Sequence, residues 1–377
     1  MEQRIMTGLD KTISRLGMGN MRLPTNSEGA IDYPVAEKII DCLMAGGVTY
    51  YDTAWFYHGG NSEVFLGKAL TARYPREGYS IATKLPVGEA KDAGDVERIF
   101  NIQRERLGAY KIDFYLLHGV NYEGWKKASE IGAYDFIQKK KAEGLIGHIG
   151  FSFHGNKEDL PMILDEGDWD FVQAQLNYYY WYDGGAEKFI YEEIYKRGVA
   201  LVVMGPVRGG GLAGIHKDAA ACFEGMGTPA EAALRWVADL PGADVVLSGM
   251  SSLQQAEENI RTFTERKPLN DVERGRVMRA AEILRNLKLI PCTACDYCKG
   301  CPAEIPISRL LTGYNDAIRF GGSWALIHYY FNAGKEKERA SACTACGACE
   351  KKCPQGIKII GELKKTYEKA LEIKGRG

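Results

Sequence analysis

Apolar and polar positions along the chain form a pattern that predicts repeated βα units. Between residues 13 and 250, eight short runs rich in β-branched or aromatic residues predict strands. These runs lie at residues 16–20, 48–52, 79–84, 112–118, 146–152, 171–176, 200–204 and 245–248. Between them, apolar residues recur at helical spacing, as at Ala36, Ile39, Ile40 and Leu43. Eight strands, each followed by a helix, over roughly 250 residues predict a (β/α)8 barrel, which belongs to the α/β class.

A doubly wound parallel sheet is the alternative fold for the same pattern. Such a sheet would favour a glycine-rich dinucleotide loop after its first strand, and LGMGNMRLP at residues 16–24 lacks the GxGxxG spacing. Later in the chain, Thr228 and Pro229 predict the start of a helix, since proline is favoured at the first helical position.

Composition and charge exclude several classes of protein. The 377 residues carry a formal net charge of −1, which gives no electrostatic case for binding nucleic acid or an anionic membrane. Residues 1–17 contain no apolar core of signal-peptide length, and no run of about 18 apolar residues predicts a membrane span. We therefore expect a cytoplasmic protein.

The cysteines are concentrated near the carboxyl terminus. Of ten cysteines, only Cys42 and Cys222 precede residue 292, and the other eight lie between Cys292 and Cys353. Eight closely spaced cysteines without a signal peptide indicate metal binding in a reducing compartment rather than a disulfide framework. The sequence thus predicts a barrel at residues 1–265, a linker helix at 266–291 and a cysteine-rich domain at 292–377.

Four residues with proton-transfer chemistry are predicted to meet at one rim of the barrel. Asp52, Lys84 and His118 end the second, third and fourth predicted strands, and Tyr57 follows the second. The carboxyl ends of barrel strands form the active sites of such folds. An unperturbed phenol titrates near pKa ~10, so we expect the Lys84 ammonium, held by Asp52, to lower the pKa of Tyr57. His118 would orient a substrate oxygen or relay its proton.

These motifs resemble those of the aldo-keto reductase superfamily. YDTAxxY at Asp52 and Tyr57, TK at Lys84 and YLLH at His118 match in order and spacing, and the resemblance covers about residues 1–265. The resemblance implies that Tyr57 is the general acid, that Lys84 and Asp52 tune it, and that His118 positions the carbonyl. The alternative is an ordinary Asp–Lys ion pair beside a core tyrosine and histidine.

The same resemblance implies a nicotinamide site. Ser152 in GFSFHG and Gln175 in QAQLNYYY match positions that hold the carboxamide, with Asn177 as an alternative to Gln175. The segment SGMSSLQQAEEN resembles the loop that binds the adenosine phosphate, with Glu258 and Asn259 on the adenine side.

Two departures from the family affect the cofactor. Members that select a 2′-phosphate carry Lys or Arg in this loop, whereas the matching positions here are Gly249, Ser251 and Gln255, which makes NAD plausible beside NADP. Met204 stands where many members stack an aromatic ring on the nicotinamide, and simple barrel packing is the alternative for it. Arg208, beside three glycines, would contact a phosphate or an anionic substrate, or lie free on the surface.

The cysteines form two motifs, each of which ends in Cys-Pro. CTACGACEKKCP is the bacterial ferredoxin run C-x2-C-x2-C-x3-C-P, and CTACDYCKGCP is one residue shorter before its fourth cysteine. Structural zinc is the alternative. Resemblance to two-cluster ferredoxins implies two 4Fe–4S clusters, with the last cysteine of each run ligating the cluster of the other run. The implied sets are Cys292, Cys295, Cys298 and Cys353 for one cluster, and Cys343, Cys346, Cys349 and Cys301 for the other. The segment 308–339 between the motifs is predicted to be helical.

The barrel and the cysteine motifs together identify the chain as a member of the iron–sulfur branch of the aldo-keto reductases. We expect an oxidoreductase that reduces a carbonyl, or oxidises an alcohol, with NADH or NADPH. Hydride transfer moves two electrons and does not need one-electron clusters. Three hypotheses address this mismatch. The clusters exchange electrons with a ferredoxin or another redox partner, directly or through a flavin; they are structural or oxygen-sensing; or the barrel is a non-catalytic module that delivers electrons.

Overall fold

Eight parallel strands close into a barrel in the structure, a computed structural model that describes residues 1–321 and 339–374. The barrel strands are β3 (Leu16–Gly19), β4 (Tyr50–Asp52), β5 (Ser80–Leu85), β6 (Ile112–Val120), β7 (Ile146–Phe153), β8 (Phe171–Gln175), β9 (Ala200–Met204) and β10 (Ala243–Ser248). Neighbouring strands pair in chain order, and β10 closes the barrel against β3. All eight predicted strands are confirmed to within two residues at each end, so the (β/α)8 barrel is the observed fold.

A short hairpin that the sequence analysis did not predict precedes the barrel. Strands β1 (Gln3–Ile5) and β2 (Thr12–Ser14) pair antiparallel. Met6 and Ile13 are buried in the same apolar cluster as Tyr50, Phe114 and Phe171, which lie near the starts of their strands. The hairpin therefore covers the end of the barrel opposite the carboxyl ends of the strands.

Several helices begin at capping residues that the sequence supplies. Asp32, Asp92, Asn121 and Ser252 each accept a hydrogen bond from a backbone N–H in the first turn of a helix. Pro229 opens its helix, as predicted. The helices are α1 (Tyr33–Ala45), α2 (Asn61–Leu66), α3 (Ala93–Leu107), α4 (Tyr122–Glu130), α5 (Ala133–Ala142), α6 (Asp159–Glu166), α7 (Tyr178–Trp181), α8 (Ala186–Lys196), α9 (Lys217–Ala220), α10 (Pro229–Ala238), α11 (Leu253–Thr264), α12 (Asp271–Asn286), α13 (Ile307–Phe320), α14 (Ala348–Lys352) and α15 (Ile359–Lys374).

The chain divides into two compact units. The first comprises Met1–Gly209 and Glu231–Gly275, and the second comprises Gly210–Ala230 and Arg276–Gly377. Residues 210–230 thus group with the carboxyl-terminal part, where the His216 N–H donates to the carbonyl of Arg319 at 2.8 Å. The domain boundaries drawn from the sequence stay a prediction.

The second unit has its own apolar core, against which most of its cysteines pack. Ile290, Ile307, Leu310 and Leu363 are buried there, and six of the eight clustered cysteines contact this core. Helix α13 lies in the segment predicted to be helical, and residues 322–338 of that segment fall outside the described residues. Within the described part of the chain, no helix has both the length and the apolar character needed to cross a bilayer.

Candidate functional site

The four residues predicted to transfer a proton come together at the carboxyl rim of the barrel. Asp52 is the last residue of β4, while Lys84 and His118 lie near the ends of β5 and β6. Tyr57 begins the short 3-10 turn Tyr57–Gly60 that leads into α2. Since parallel barrel strands end at one rim, the β4–β5 and β5–β6 pairings place these side chains on the same side.

A buried ion pair forms the centre of the site. The Lys84 ammonium donates to Asp52 Oδ1 at 2.8 Å and to Oδ2 at 2.7 Å. It also donates to the carbonyl of Thr53 at 2.7 Å and lies 3.3 Å from the Tyr57 hydroxyl. Lys84 and Asp52 are only 1% and 2% exposed. Burial alone would lower the pKa of Lys84, but Asp52 and Tyr57 outweigh it and raise that pKa, so Lys84 stays an ammonium.

The Tyr57 phenol is held in its protonated form. Burial raises the pKa of Tyr57, the Lys84 ammonium opposes this, and the Asp52 carboxylate adds to it, so the net direction is upward. The ammonium acts in the predicted direction, but the expected net lowering is not found. The reason is that the cost of desolvating a phenolate outweighs the charge of a lysine already neutralised by its carboxylate.

His118 is a neutral imidazole at physiological pH. Burial, the Lys84 ammonium and His154 lower the pKa of His118 to about 3. Its ring centroid lies 6.2 Å from that of Tyr57 in an edge-on arrangement and 6.3 Å from that of Phe56. A neutral ring beside the phenol can hold a substrate oxygen by a hydrogen bond, but it has no proton to give as an imidazolium.

Two amide side chains that the sequence analysis missed fix Asp52. Gln173 Nε2 donates to Asp52 Oδ1 at 3.3 Å, and Asn20 Nδ2 donates to the Asp52 carbonyl at 2.9 Å. Both amides are buried, at 2% and 0% exposure. The signal for Gln173 was its place two residues before Gln175 in a strand, because alternate strand positions share a face.

A second buried network holds the turn that carries Tyr57. Glu63 is fully buried and accepts hydrogen bonds from Thr83 at 2.6 Å and from Gln103 at 2.7 Å. Arg106 donates to the same carboxylate at 3.1 Å, and its guanidinium lies 4.1 Å from the centroid of the Trp55 ring. Trp55 belongs to the loop between Asp52 and Tyr57, so this network anchors the loop.

The predicted carboxamide contacts differ in their surroundings. Ser152 is 1% exposed, and its Oγ accepts a hydrogen bond from the Gly119 N–H at 2.8 Å. Gln175 is exposed at the end of β8. Asn177 is buried and caps α7, accepting from the Tyr180 N–H at 3.1 Å and donating to the Gly205 carbonyl at 3.2 Å. Of the two amides, Gln175 is therefore the better placed to meet a ligand.

The end of β9 carries the two other residues of the predicted nicotinamide region. Met204 is half-buried and lies opposite Gln175 in the β8–β9 register. Arg208 follows with φ +49° and donates through Nε to the Tyr180 hydroxyl at 3.0 Å. Its guanidinium carbon lies 5.9 Å and 5.6 Å from the ring centroids of Tyr179 and Tyr180. Arg208 is thus held against aromatic rings rather than free in solvent.

The predicted adenine-side residues lie on α11. Asn259 donates to Ser248 Oγ at 3.0 Å, and Glu258 accepts from Gln254 at 2.8 Å. Ser252 caps this helix by accepting from the Gln255 N–H at 3.2 Å. The helix start follows β10 after four residues, at the rim of the barrel.

Arg22 is a cation at this rim that the sequence analysis missed. A Cβ on Gly209 would lie 2.6 Å from Arg22 Nη2, and a Cβ on Gly249 would lie 3.1 Å from Arg22 Cβ. Ser251 Oγ also donates to the Arg22 carbonyl at 2.7 Å. The exposed Arg22 side chain therefore runs beside both loops in which phosphates are expected. The loop at residues 249–255 lacks a cation of its own, and the loop after β3 brings one next to it.

The eight clustered cysteines line two neighbouring cavities. The first cavity is lined by Cys292, Cys295, Cys298 and Cys353. The second is lined by Cys301, Cys343, Cys346 and Cys349, together with Cys298. Each run of four therefore contributes its last cysteine to the cavity that holds the first three cysteines of the other run.

The chemistry of these cavities suits an iron–sulfur cluster. Each is lined by at least four cysteines, most of which pack against the apolar core of the second unit. Ala294, Asp296 and Ala345 adopt left-handed conformations in the loops between cysteines. No three His, Cys, Asp or Glu side chains in the described parts of the chain converge closely enough to share one metal ion. Thiols spaced around a cavity fit a cubane, in which each thiolate binds a different iron, better than one tetrahedral zinc ion.

Two known protein families match separate parts of the chain. Residues 15–225 match the aldo/keto reductase family, and residues 288–357 match the 4Fe-4S dicluster domain. The chain belongs to the aldo/keto reductase family. It is therefore an oxidoreductase of that family that also carries a 4Fe–4S dicluster domain, as the motifs predicted.

Two relatives of known activity are similar to this aldo/keto reductase over much of its length. L-galactose dehydrogenase of Arabidopsis thaliana is 26% identical over 71% of this chain and 90% of its own length. The NADH-specific methylglyoxal reductase of Escherichia coli is 28% identical over 54% of this chain and 67% of its own length.

Solved structures of the family share the barrel. An aldo-keto reductase from Bacillus halodurans, in its holo form, has a TM-score of 0.62 and 25% identity over 74% of this chain and 96% of its own. An aldo/keto reductase from Klebsiella pneumoniae, solved with NADP and acetate, has a TM-score of 0.60 and 20% identity over 72% of this chain and 93% of its own. The second likeness shows the fold alone.

Proposed function

We propose that this protein reduces a small carbonyl compound, or oxidises the corresponding alcohol, with a nicotinamide dinucleotide, and that Tyr57 transfers the proton. The observation that carries the proposal is the position of the Lys84 ammonium, 2.8 and 2.7 Å from the Asp52 oxygens and 3.3 Å from the Tyr57 hydroxyl. An ordinary buried ion pair would not need a phenol directed at its ammonium from a rim loop.

Each residue of the tetrad has a role that its environment supports. Tyr57, protonated at neutral pH, donates its proton to the carbonyl oxygen as that oxygen gains charge. Lys84 stabilises the phenolate that remains, and Asp52 orients Lys84. His118, being neutral, holds the carbonyl oxygen by a hydrogen bond and does not act as the acid.

A bound nicotinamide would supply the hydride, and residues at the rim are suited to hold it. Ser152 and Gln175 lie at the ends of β7 and β8, where they would bind the carboxamide. Met204 would pack on the ring. Arg22 and Arg208 would bind phosphates between the glycine-rich loops. Glu258 and Asn259 would lie on the adenine side, where α11 begins.

The preference for NADH or NADPH depends on whether a positively charged side chain is available to bind the 2′-phosphate. Gly249, Ser251 and Gln255 offer no charge for a 2′-phosphate, and the name of the Escherichia coli relative describes an NADH-specific enzyme. Both facts favour NADH, with Arg22 serving the pyrophosphate.

The second unit would hold two 4Fe–4S clusters, which would supply single electrons. The two cavities support the crossed ligand sets, Cys292, Cys295, Cys298 and Cys353 for one cluster and Cys343, Cys346, Cys349 and Cys301 for the other. The proposal places the clusters in electron transfer with a redox partner. We expect the protein to act in the cytoplasm, where thiolates stay reduced.

Anaerobic assays of the purified protein test the proposal. Two full cubanes give about eight irons and about eight labile sulfides per chain. Oxidation of NADH should depend on a small carbonyl such as methylglyoxal, or reduction of NAD on a sugar such as L-galactose. No turnover with a broad panel of carbonyls and alcohols would contradict the catalytic part, and stoichiometric zinc would contradict the cluster part.

A further inference from the structure

The two cysteine cavities differ in the charge at their mouths. Each has one exposed cysteine, Cys295 in the first and Cys346 in the second. Asp296 lines the first cavity, and its carboxylate is bound by the Ser308 hydroxyl. Lys352 lines the second. One mouth therefore carries a carboxylate and the other an ammonium.

Further lysines adjoin the second cavity, and together they form what we call the lysine edge: Lys299, Lys351 and Lys352. Lys351 precedes Lys352 in α14, and Lys299 precedes Gly300, which lines the cavity. All three are exposed. None of them forms an ion pair with another residue in the described ranges 1–321 and 339–374, although elsewhere in the second unit Lys365 pairs with Glu362 at 2.8 Å.

Unpaired surface cations beside an exposed cluster ligand have an electrostatic consequence. They attract a partner whose surface is negative and raise the rate at which the two proteins meet, without adding much to the stability of the fold. A cluster near the surface is also where a one-electron carrier can come close enough to exchange an electron. Lys352 of the lysine edge lines the same cavity as the exposed Cys346, whereas Asp296 at the first cavity would repel the same partner.

We propose that the lysine edge is the docking surface of an acidic one-electron carrier protein, which exchanges electrons with the cluster of the second cavity. This rests on the proposed clusters. Each event moves one electron: a reduced carrier is oxidised by one electron and the cluster is reduced by one, with no proton and no bond exchanged. The opposite direction reverses both changes.

Charge reversal of the lysine edge tests this assignment. The variant Lys351→Glu/Lys352→Glu is mixed anaerobically with a reduced plant-type 2Fe–2S ferredoxin, an acidic protein, and the change in cluster absorbance is followed by stopped flow. We expect a transfer rate at least about tenfold below wild type at low salt, and a wild-type rate that falls as salt rises. The matched control is Lys38→Glu, at an exposed lysine of α1 that forms no ion pair with any residue the structure describes.

A basic carrier protein shows whether a slower rate comes from weaker docking or from damage to the cluster. Oxidised cytochrome c, a basic protein, should take electrons faster from the reduced Lys351→Glu/Lys352→Glu variant than from wild type. The milder Lys351→Gln/Lys352→Gln variant should give intermediate rates with both carriers. Iron content and carbonyl turnover with NADH should match wild type in each variant, so that loss of the proposed function would show separately. Equal rates and equal salt dependence for wild type and the charge-reversed variant with both carriers would overturn the proposal, as would a slower reaction with both.

Discussion

The Lys84 ammonium lies between the two carboxylate oxygens of Asp52, at 2.8 and 2.7 Å, with both side chains withdrawn from solvent. A buried ion pair adds little stability by itself, since desolvation offsets most of the attraction between its charges. Its value here is positional, because it fixes a positive charge 3.3 Å from the Tyr57 hydroxyl. In the proposed reaction, the pair would therefore stabilise the phenolate that proton transfer from Tyr57 produces.

Removing Lys84 should harm both activity and stability. In Lys84→Met the Asp52 carboxylate is left buried without its partner, which should lower the free energy of unfolding by roughly 3–5 kcal/mol. The rate of carbonyl reduction should fall at least about 100-fold, because the phenolate loses its counter-charge. Urea denaturation and steady-state kinetics measure the two effects.

The control for this variant is Lys196→Met, which removes a more exposed pair with Glu193. It should cost less than about 1 kcal/mol and leave turnover unchanged. A Lys84→Met protein with wild-type kcat/KM would show that Lys84 has a purely structural role.

The pH dependence of the reaction should follow Tyr57 alone. Because the pKa of Tyr57 is raised and that of His118 is lowered to about 3, neither group titrates near neutrality. Reduction requires the protonated phenol, so kcat/KM should be constant between about pH 6 and 9 and fall only at higher pH. Oxidation of the alcohol requires the phenolate and should rise about tenfold per pH unit over the same range.

The variant His118→Gln should reduce more slowly but keep this flat profile, since a neutral ring only holds the substrate. The contrary result is a wild-type rate of carbonyl reduction that falls as the pH rises, with a midpoint near pH ~6.5, while the rate of His118→Gln does not. In that case the proton would come from an imidazolium.

The barrel and the tetrad could be predicted because their determinants are local. Each strand is an apolar run within a few residues, and parallel barrel topology brings the ends of such runs to one rim whatever the loops contain. Asp52, Lys84 and His118 each end a run, so their meeting follows from the order of the strands. Their exact roles stay a prediction until measured.

The remaining features depend on contacts that the local sequence does not encode. Arg22 adjoins Gly249 only because β3 pairs with β10, in which Met18 lies opposite Ser248. The upward shift of the Tyr57 pKa depends on how deeply the phenol is buried, which no motif states. Asn177 stands close to Gln175 in the sequence and is an alternative to it, but its side chain caps a helix.

The proposed crossed ligation by the cysteines can be tested with pairs of Cys→Ser variants. If Cys353 serves the first cavity, reduced Cys353→Ser should give the same electron paramagnetic resonance spectrum as Cys295→Ser, which lies in that cavity alone. Likewise, Cys301→Ser should match Cys346→Ser. The reason is that each pair would disturb a single cluster and leave the other intact.

The control is Cys222→Ser. Cys222 does not line either cavity, so this variant should keep the full iron content. The opposite matches, Cys353→Ser with Cys346→Ser and Cys301→Ser with Cys295→Ser, would mean that each run of four binds its own cluster.

Arg22 should contribute to cofactor affinity without affecting chemistry. Arg22→Gln removes a charge expected to meet the pyrophosphate, so the Kd of NADH and of NADPH should both rise about ten- to hundredfold. The rate of hydride transfer at saturation should not change. Fluorescence titration measures Kd, and Arg98→Gln, an exposed arginine of α3 paired with Asp95, is the control. Unchanged affinity for both dinucleotides would remove Arg22 from the site, and an effect on NADPH alone would move its contact to the 2′-phosphate.

The most direct test of the proposed role of Tyr57 is a single-turnover measurement on Tyr57→Phe. The anaerobic protein is loaded with NADH and mixed with a carbonyl substrate that wild type reduces, and the loss of nicotinamide absorbance is followed. We predict a rate at least about 100-fold below wild type, with an unchanged Kd for NADH, because the ring remains and only the proton donor is lost. Tyr110→Phe, at a tyrosine that is 77% exposed, should behave as wild type. A Tyr57→Phe protein that reduces the carbonyl at the wild-type rate would contradict the assignment of the site.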